Sequence, residues 1–277
     1  MNLSHKLHRV ARCTALVFCA LLSACEKAAT QAPAARHPPA PSSAANAISG
    51  YHFQSADTQA LQDDEFANPG MLWVDRGREL WRTPAQATQT SCADCHNDAA
   101  SSMAGVAAQY PKFNTTANTI MNLEGQINQC RVIRQASPPF TYESEELLSL
   151  TAFVAHQSQG QPIQVNIEGP AAAAYAAGQA YFYTRRGQLN LACHHCHEDN
   201  VGRMLRGDKL SQGQAGGYPA YRLEWQSLGS LHRRLRFCNT GVRAEPFDYG
   251  TRQYVELELY LKWRANGLPV ETPAVRR

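Results

Sequence analysis

The sequence predicts a mainly α chain in which two small helical modules stand in tandem, and three observations predict it. The pentapeptide Cys-x-x-Cys-His occurs twice, as Cys92-Ala-Asp-Cys95-His96 and as Cys193-His-His-Cys196-His197. A block with an aromatic end, Gly77-Arg-Glu-Leu-Trp81 or Gly178-Gln-Ala-Tyr-Phe182, begins 15 residues before the first cysteine of each pentapeptide. Further on, Pro139-Phe-Thr-Tyr142 matches Pro246-Phe-Asp-Tyr249, and the register holds at an offset of 107 through Leu150 and Leu257, Gly160 and Gly267, Pro162 and Pro269. A repeat kept in register over this length is one supersecondary plan used twice.

The N-terminus comes before either module. Lys6, Arg9 and Arg12 precede an apolar run from Cys13 to Leu22, with no acid before Glu26, which reads residues 1–24 as an export signal. At about ten residues the run is too short to span a bilayer as a helix. Its end, Leu22-Ser23-Ala24-Cys25, resembles a bacterial lipobox and makes Cys25 a candidate lipidation site. Cleavage after Ala24 or Ala29 would instead leave a soluble periplasmic protein. Residues 25–49, rich in Ala, Pro, Ser and Gln, read as a flexible tether. Loss of residues 1–24 removes three of the 26 basic residues and none of the 23 acidic ones, so the exported chain is formally neutral. That balance gives no reason to expect a nucleic-acid partner.

The remaining length suits two small domains, expected over residues 50–165 and 166–277. In the first, an early helix carries Leu80-Trp81, the pentapeptide follows, and Leu147, Leu150 and Val154 at i, i+3 and i+7 form the apolar stripe of a terminal helix. In the second, Tyr181-Phe182 and then Tyr254, Leu257 and Leu261 take the same places. Gly160 or Gly267 is placed to end the terminal helix, and Pro162 or Pro269 to stop it.

Two thiols at this spacing can each add to one vinyl group of a porphyrin, and the following histidine then lies beneath the ring as proximal iron ligand. Structural zinc would want a second ligand pair within the same module, and a redox dithiol has no reason to end in histidine. The expected architecture is therefore two tandem cytochrome c-like haem domains, each binding one haem c covalently. The cofactor would supply much of the core that so few helices lack.

Apart from Cys13, Cys19 and Cys25, the chain has six cysteines, three per module, and one is left over in each: Cys130 and Cys238. Both fall between the proximal histidine and the terminal helix, where a cytochrome c presents its sixth ligand, and we read them as distal thiolate ligands opposite His96 and His197. A Cys130–Cys238 disulfide is compatible with an exported chain. Met121 or His232 are the other candidate ligands; Met204, seven residues after His197, is too close for a methionine scheme shared by both modules. Arg233, Arg234, Arg236 and Arg243 flank Cys238, while Arg131 and Arg134 follow Cys130. Such a field favours thiolate over thiol. Arg234 stands four residues before Cys238, on the same face if the segment is helical, where a guanidinium can grip an oxyanion beside the sulfur.

Longer stretches carry a resemblance. Asn200-Val-Gly-Arg-Met-Leu-Arg-Gly-Asp208, the run from Tyr218 to Arg234, Arg243-Ala-Glu-Pro-Phe247 and the closing Glu271-Thr-Pro-Ala-Val-Arg276 resemble the SoxA family of SoxAX cytochromes, over nearly everything after the tether. The resemblance implies a periplasmic L-cysteine S-thiosulfotransferase. Its partners would be a single-haem SoxX, a SoxYZ carrier protein whose cysteine receives thiosulfate, and a small c-type cytochrome as electron acceptor. It assigns Cys92, Cys95, His96 and Cys130 to a first haem and Cys193, Cys196, His197 and Cys238 to a second. Catalysis is implied at Cys238, which in the family is found as a persulfide, and substrate binding at Arg234. The other reading of the residues is a dihaem electron-transfer protein that makes no bonds.

Overall fold

One helix crossing forms the centre of each half of the chain in the computed structural model, which describes residues 46–277. The export segment, Cys25 and nearly all of the tether lie outside the described residues. After α1 (Ala56–Asp63), the first half contains α2 (Met71–Arg82), α3 (Cys92–His96), α4 (Ala99–Ser102), the hairpin β1–β2 (Lys112–Asn114, Thr119–Met121), α5 (Leu123–Arg134) and α6 (Glu145–His156). The second half contains α7 (Ala172–Tyr183), α8 (Cys193–His197), the hairpin β3–β4 (Met204–Leu205, Asp208–Lys209), β5 (Ala220–Arg222), β6 (Ser227–Gly229), α9 (Leu231–Gly241), α10 (Arg252–Arg264) and β7 (Ala274–Arg276). The chain is mainly α, as its periodicity predicts.

The repeated glycines explain the crossings. Gly77 on α2 faces α6 and Gly178 on α7 faces α10 so closely that a Cβ would overlap the carbonyl oxygen of Ser149 or of Glu256. Around these contacts Val74, Trp81, Leu150, Phe153 and Val154 fill one core, and Phe182, Tyr254, Leu257, Tyr260 and Leu261 the other. Side-chain caps start the helices: Asn122 accepts from the Gly125 amide at 3.0 Å, Ser144 from Leu147 at 3.3 Å and Ser230 from Arg233 at 3.2 Å.

The module ends meet. Pro162 and Pro269 form an antiparallel bridge, the Gly160 amide donates to Val270 O, and the Gly267 amide donates to Ile163 O, all at equivalent points of the repeat. Gly160 and Gly267 both adopt positive φ, +76° and +87°, which favours glycine there. α6 nevertheless ends at His156, four residues before Gly160, because the intervening chain tightens into turns.

A small sheet has no counterpart in the first half. β5 pairs with β6 antiparallel (Ala220 with Gly229, Arg222 with Ser227) and with β7 in parallel (Ala220 with Ala274, Arg222 with Arg276), which buries the C-terminal segment. Among the described residues no helix is long and apolar enough to cross a membrane.

Candidate active site

α8 is a single helical turn, held at its start by the Ala192 amide donating to His195 Nδ1 at 2.9 Å. Cys193 points inward, where burial first and the nearby Cys238 second push its thiol up to about 12; Cys196 is raised by the same two causes. Beyond His197 the chain loops back, and His197 Nδ1 lies 2.8 Å from the carbonyl oxygen of Ser211. That contact fixes the proton on Nδ1 and leaves Nε2 free for a metal, as in a ligating imidazole whose other nitrogen donates to a backbone carbonyl. Gly213, at φ +73°, passes over the ring so closely that a Cβ would come within 2.9 Å of His197 Cγ.

α9 brings Cys238 to the other side. Its neighbour Asn239 ties the helix to both members of the central crossing, donating to Tyr254 Oη at 2.7 Å and accepting from the Tyr181 hydroxyl at 3.3 Å. Cys238 is part-buried and lies close to His197. Burial is the largest influence on its thiol and acts upward, but Arg234, His197 and Arg222 together outweigh it and bring the group down to about 7. Arg234 Nη1 lies 3.7 Å from Glu224 Oε1, and the same oxygen lies 2.8 Å from Arg222 Nε.

Arg222 and Glu224 are site residues that sequence reasoning missed. They sit in the block that carries the family resemblance, yet no spacing relates them to Cys238; the pairing of the three-residue β5 with β7, 54 residues further on and weakly patterned, fixes the position of this segment.

The first module repeats the plan but differs around the third sulfur. α3 opens on a capping box in which Asp94 accepts from the Ser91 amide at 2.8 Å and Ser91 Oγ accepts from the Asp94 amide at 3.2 Å. The Cys92 thiol is pushed up to about 11, chiefly by burial and then by Cys130, which α5 brings near it. The His96 ring lies 5.7 Å from that of Trp81. Cys130 Sγ accepts from Gln126 Nε2 at 3.4 Å. Gln126 stands four residues before Cys130, the position that Arg234 holds before Cys238. Arg131 is turned aside, donating to Pro138 O at 2.9 Å and lying 3.6 Å over the Phe140 ring.

Cys95 is exposed, and none of the six cysteines among the described residues is paired in a disulfide. His232 is buried in a separate network, accepting from the Gly250 amide at 3.1 Å and lying 3.2 Å from Glu258. Met121 packs on Asn114 and Gly125. Each module thus gathers two thiols for thioether bonds and a third sulfur beside them, and the second adds an imidazole of fixed tautomer facing that sulfur. This donor chemistry fits a c-type haem with histidine and cysteine as axial ligands.

Comparisons with known proteins identify the family and its cytochrome c domain. The family model described as SoxA/TsdA, cytochrome c domain, matches residues 76–163 and 177–270. The L-cysteine S-thiosulfotransferase subunit SoxA of Pseudaminobacter salicylatoxidans is 44% identical over 83% of this chain and 81% of its own. The subunit of the same name from Paracoccus pantotrophus is 39% identical over 82% and 78%. The crystal structure of SoxXA from P. pantotrophus superposes with a TM-score of 0.80 at 38% identity, covering 83% of this chain and 87% of that one.

Proposed function

Because the chain belongs to the SoxA family of L-cysteine S-thiosulfotransferase subunits, with its cytochrome c domain, we propose that the second module is the site where thiosulfate is joined oxidatively to a carrier cysteine. The observation that carries the assignment is the Arg234–Gln126 difference: only the second module sets a guanidinium beside its third sulfur.

Thiosulfate is a dianion. Arg234 and Arg222 hold its sulfonate, displacing Glu224, so that its outer sulfur faces Cys238. Joining that sulfur to the thiol of a SoxYZ-like carrier forms one S–S bond and releases one proton and two electrons. Bound haem supplies one-electron acceptors for them. Cys92, Cys95, His96 and Cys130 would hold the first haem, and Cys193, Cys196, His197 and Cys238 the second, in modules spanning 50–165 and 166–277. In this reaction Cys238 takes the outer sulfur of thiosulfate first, forming Cys238–S–S–SO3− as the two electrons leave, and the carrier thiol, losing its proton, then attacks that sulfur and releases the Cys238 thiolate. A SoxX-like single-haem cytochrome pairs with the chain as a heterodimer and passes electrons to a small c-type cytochrome. The assembly works in the periplasm, with Cys25 as a lipid anchor.

The test is thiosulfate-dependent haem reduction by the heterodimer with carrier present. Cys238→Ala and Arg234→Ala should each lose at least about 100-fold, the scale of removing one charged substrate-stabilising group. Normal turnover in both variants would leave an electron carrier without bond-making activity.

A further inference from the structure

Between the two modules lies a group of buried ionisable side chains that the thiosulfate chemistry does not use. Glu124 is on the first turn of α5 and His232 on the first turn of α9, each six residues before the third cysteine of its module. They meet Glu258 and Lys262 of α10, and all four are under 9% exposed. Glu258 Oε2 accepts from Asn122 Nδ2 at 3.1 Å and lies 3.2 Å from His232 Nε2. The Tyr142 ring, from the segment before α6, stacks parallel to the His232 ring, and its hydroxyl donates to Asn122 Oδ1 at 3.0 Å. Glu271 faces Lys262 from the segment before β7, and Glu143 faces His232 from the segment before α6.

His232 Nδ1 accepts from the Gly250 amide at 3.1 Å, and its Nε2, buried with no hydrogen-bond partner, lies 3.2 Å from Glu258. Two carboxylates, Glu124 and Glu258, face one buried lysine, Lys262, whose own charge burial also disfavours. An uncompensated charge at this depth is costly, and binding a proton removes it. Glu124, Glu258 and Lys262 line a cavity of about 20 Å³, together with Tyr110, Tyr218 and the hydroxyl of Thr151, which has no protein partner. That volume and that unpaired hydroxyl suit one water, a partner beside the carboxylates for an incoming proton.

We propose that this carboxylate pair is a proton-binding site that takes up one proton from water as electrons enter the chain. Six helical residues span about 9 Å, so the pair lies close to the helix segments bearing both third cysteines. Negative charge arriving at either raises the proton affinity of the pair, and by linkage the bound proton favours the electron. Burial and the neighbouring Glu258 raise Glu124 to about 7, which places the effect near neutral pH.

The inference rests on the haem sites proposed above and not on the thiosulfate reaction. The test is potentiometric titration of the haem-loaded heterodimer, followed by haem absorbance from pH 5.5 to 8.5. Wild-type midpoint potentials should fall as pH rises through about 7, and Glu124→Gln should flatten that dependence while keeping the haem spectrum. Potentials independent of pH in the wild type, or an unchanged slope in Glu124→Gln, would overturn the proposal. If the variant does not fold, infrared difference spectra of the wild type decide: reduction should produce a protonated-carboxyl band, and its absence counts against the site. Missing haem absorbance would instead indict the ligand assignment.

Discussion

Arg222 and Arg234 converge on one oxygen of Glu224, at 2.8 and 3.7 Å, although one arginine comes from β5 and the other from α9. In the proposed site the carboxylate occupies the guanidinium groups that would hold the substrate anion, so it would compete with thiosulfate. Glu224→Gln should therefore lower KM for thiosulfate, by about 5-fold for roughly 1 kcal/mol of relieved competition, with kcat little changed. Steady-state kinetics at fixed ionic strength measures this, and a raised KM would show that Glu224 instead orients the arginines.

Gly213 sets the room available to the His197 imidazole. A methyl group there would both strain a backbone at φ +73° and press on the ring. Gly213→Ala should shift the absorption and electron paramagnetic resonance signals of the second haem alone, leaving the first unchanged. Identical spectra for variant and wild type would mean that this loop is not packed on a ligating ring.

The helix crossings depend on two glycines. Gly178→Ala would place a Cβ against the Glu256 carbonyl, and Gly77→Ala against Ser149, with backbone on the receiving side in both cases. Each should destabilise the protein by about 1–3 kcal/mol or more through overpacking, read as a lowered thermal midpoint. An exposed-helix Gly→Ala change would raise it instead, so the sign alone discriminates.

Glu124 also makes stability depend on pH. Its carboxyl is raised in the folded chain, to about 7, so the folded state binds more protons than the unfolded state above the usual carboxylate range. Its contribution is fully present below about pH 4 and is lost as pH rises through 7, by up to about 3 kcal/mol. Glu124→Gln should remove that loss, becoming more stable than wild type at pH 8.5 relative to pH 5.5. Thermal unfolding at the two pH values checks the sign.

What could be read in the sequence was what leaves a covalent or periodic trace. Cys92, Cys95, Cys193 and Cys196 carry the spacing that porphyrin attachment would need, Leu147 and Leu257 that of a helical stripe, and Gly77 and Gly178 stand at matching points of the repeat. Arg234 was reachable because a helix joins it to Cys238. Arg222 and Glu224 were not, since a three-residue strand paired with the C-terminus has too little pattern to reveal its register. The Glu124–Glu258 contact was hidden for a similar reason: it joins two modules whose mutual packing no local motif records.

The central claim is that the Cys238 sulfur lies on iron opposite His197. Electron paramagnetic resonance of the oxidised haem-loaded heterodimer, wild type against Cys238→Ala, tests it most directly. The account predicts a low-spin thiolate–histidine signal from the second haem that disappears in the variant while the Cys130-dependent signal of the first remains. A variant spectrum unchanged from wild type would place some other atom on that iron and contradict it.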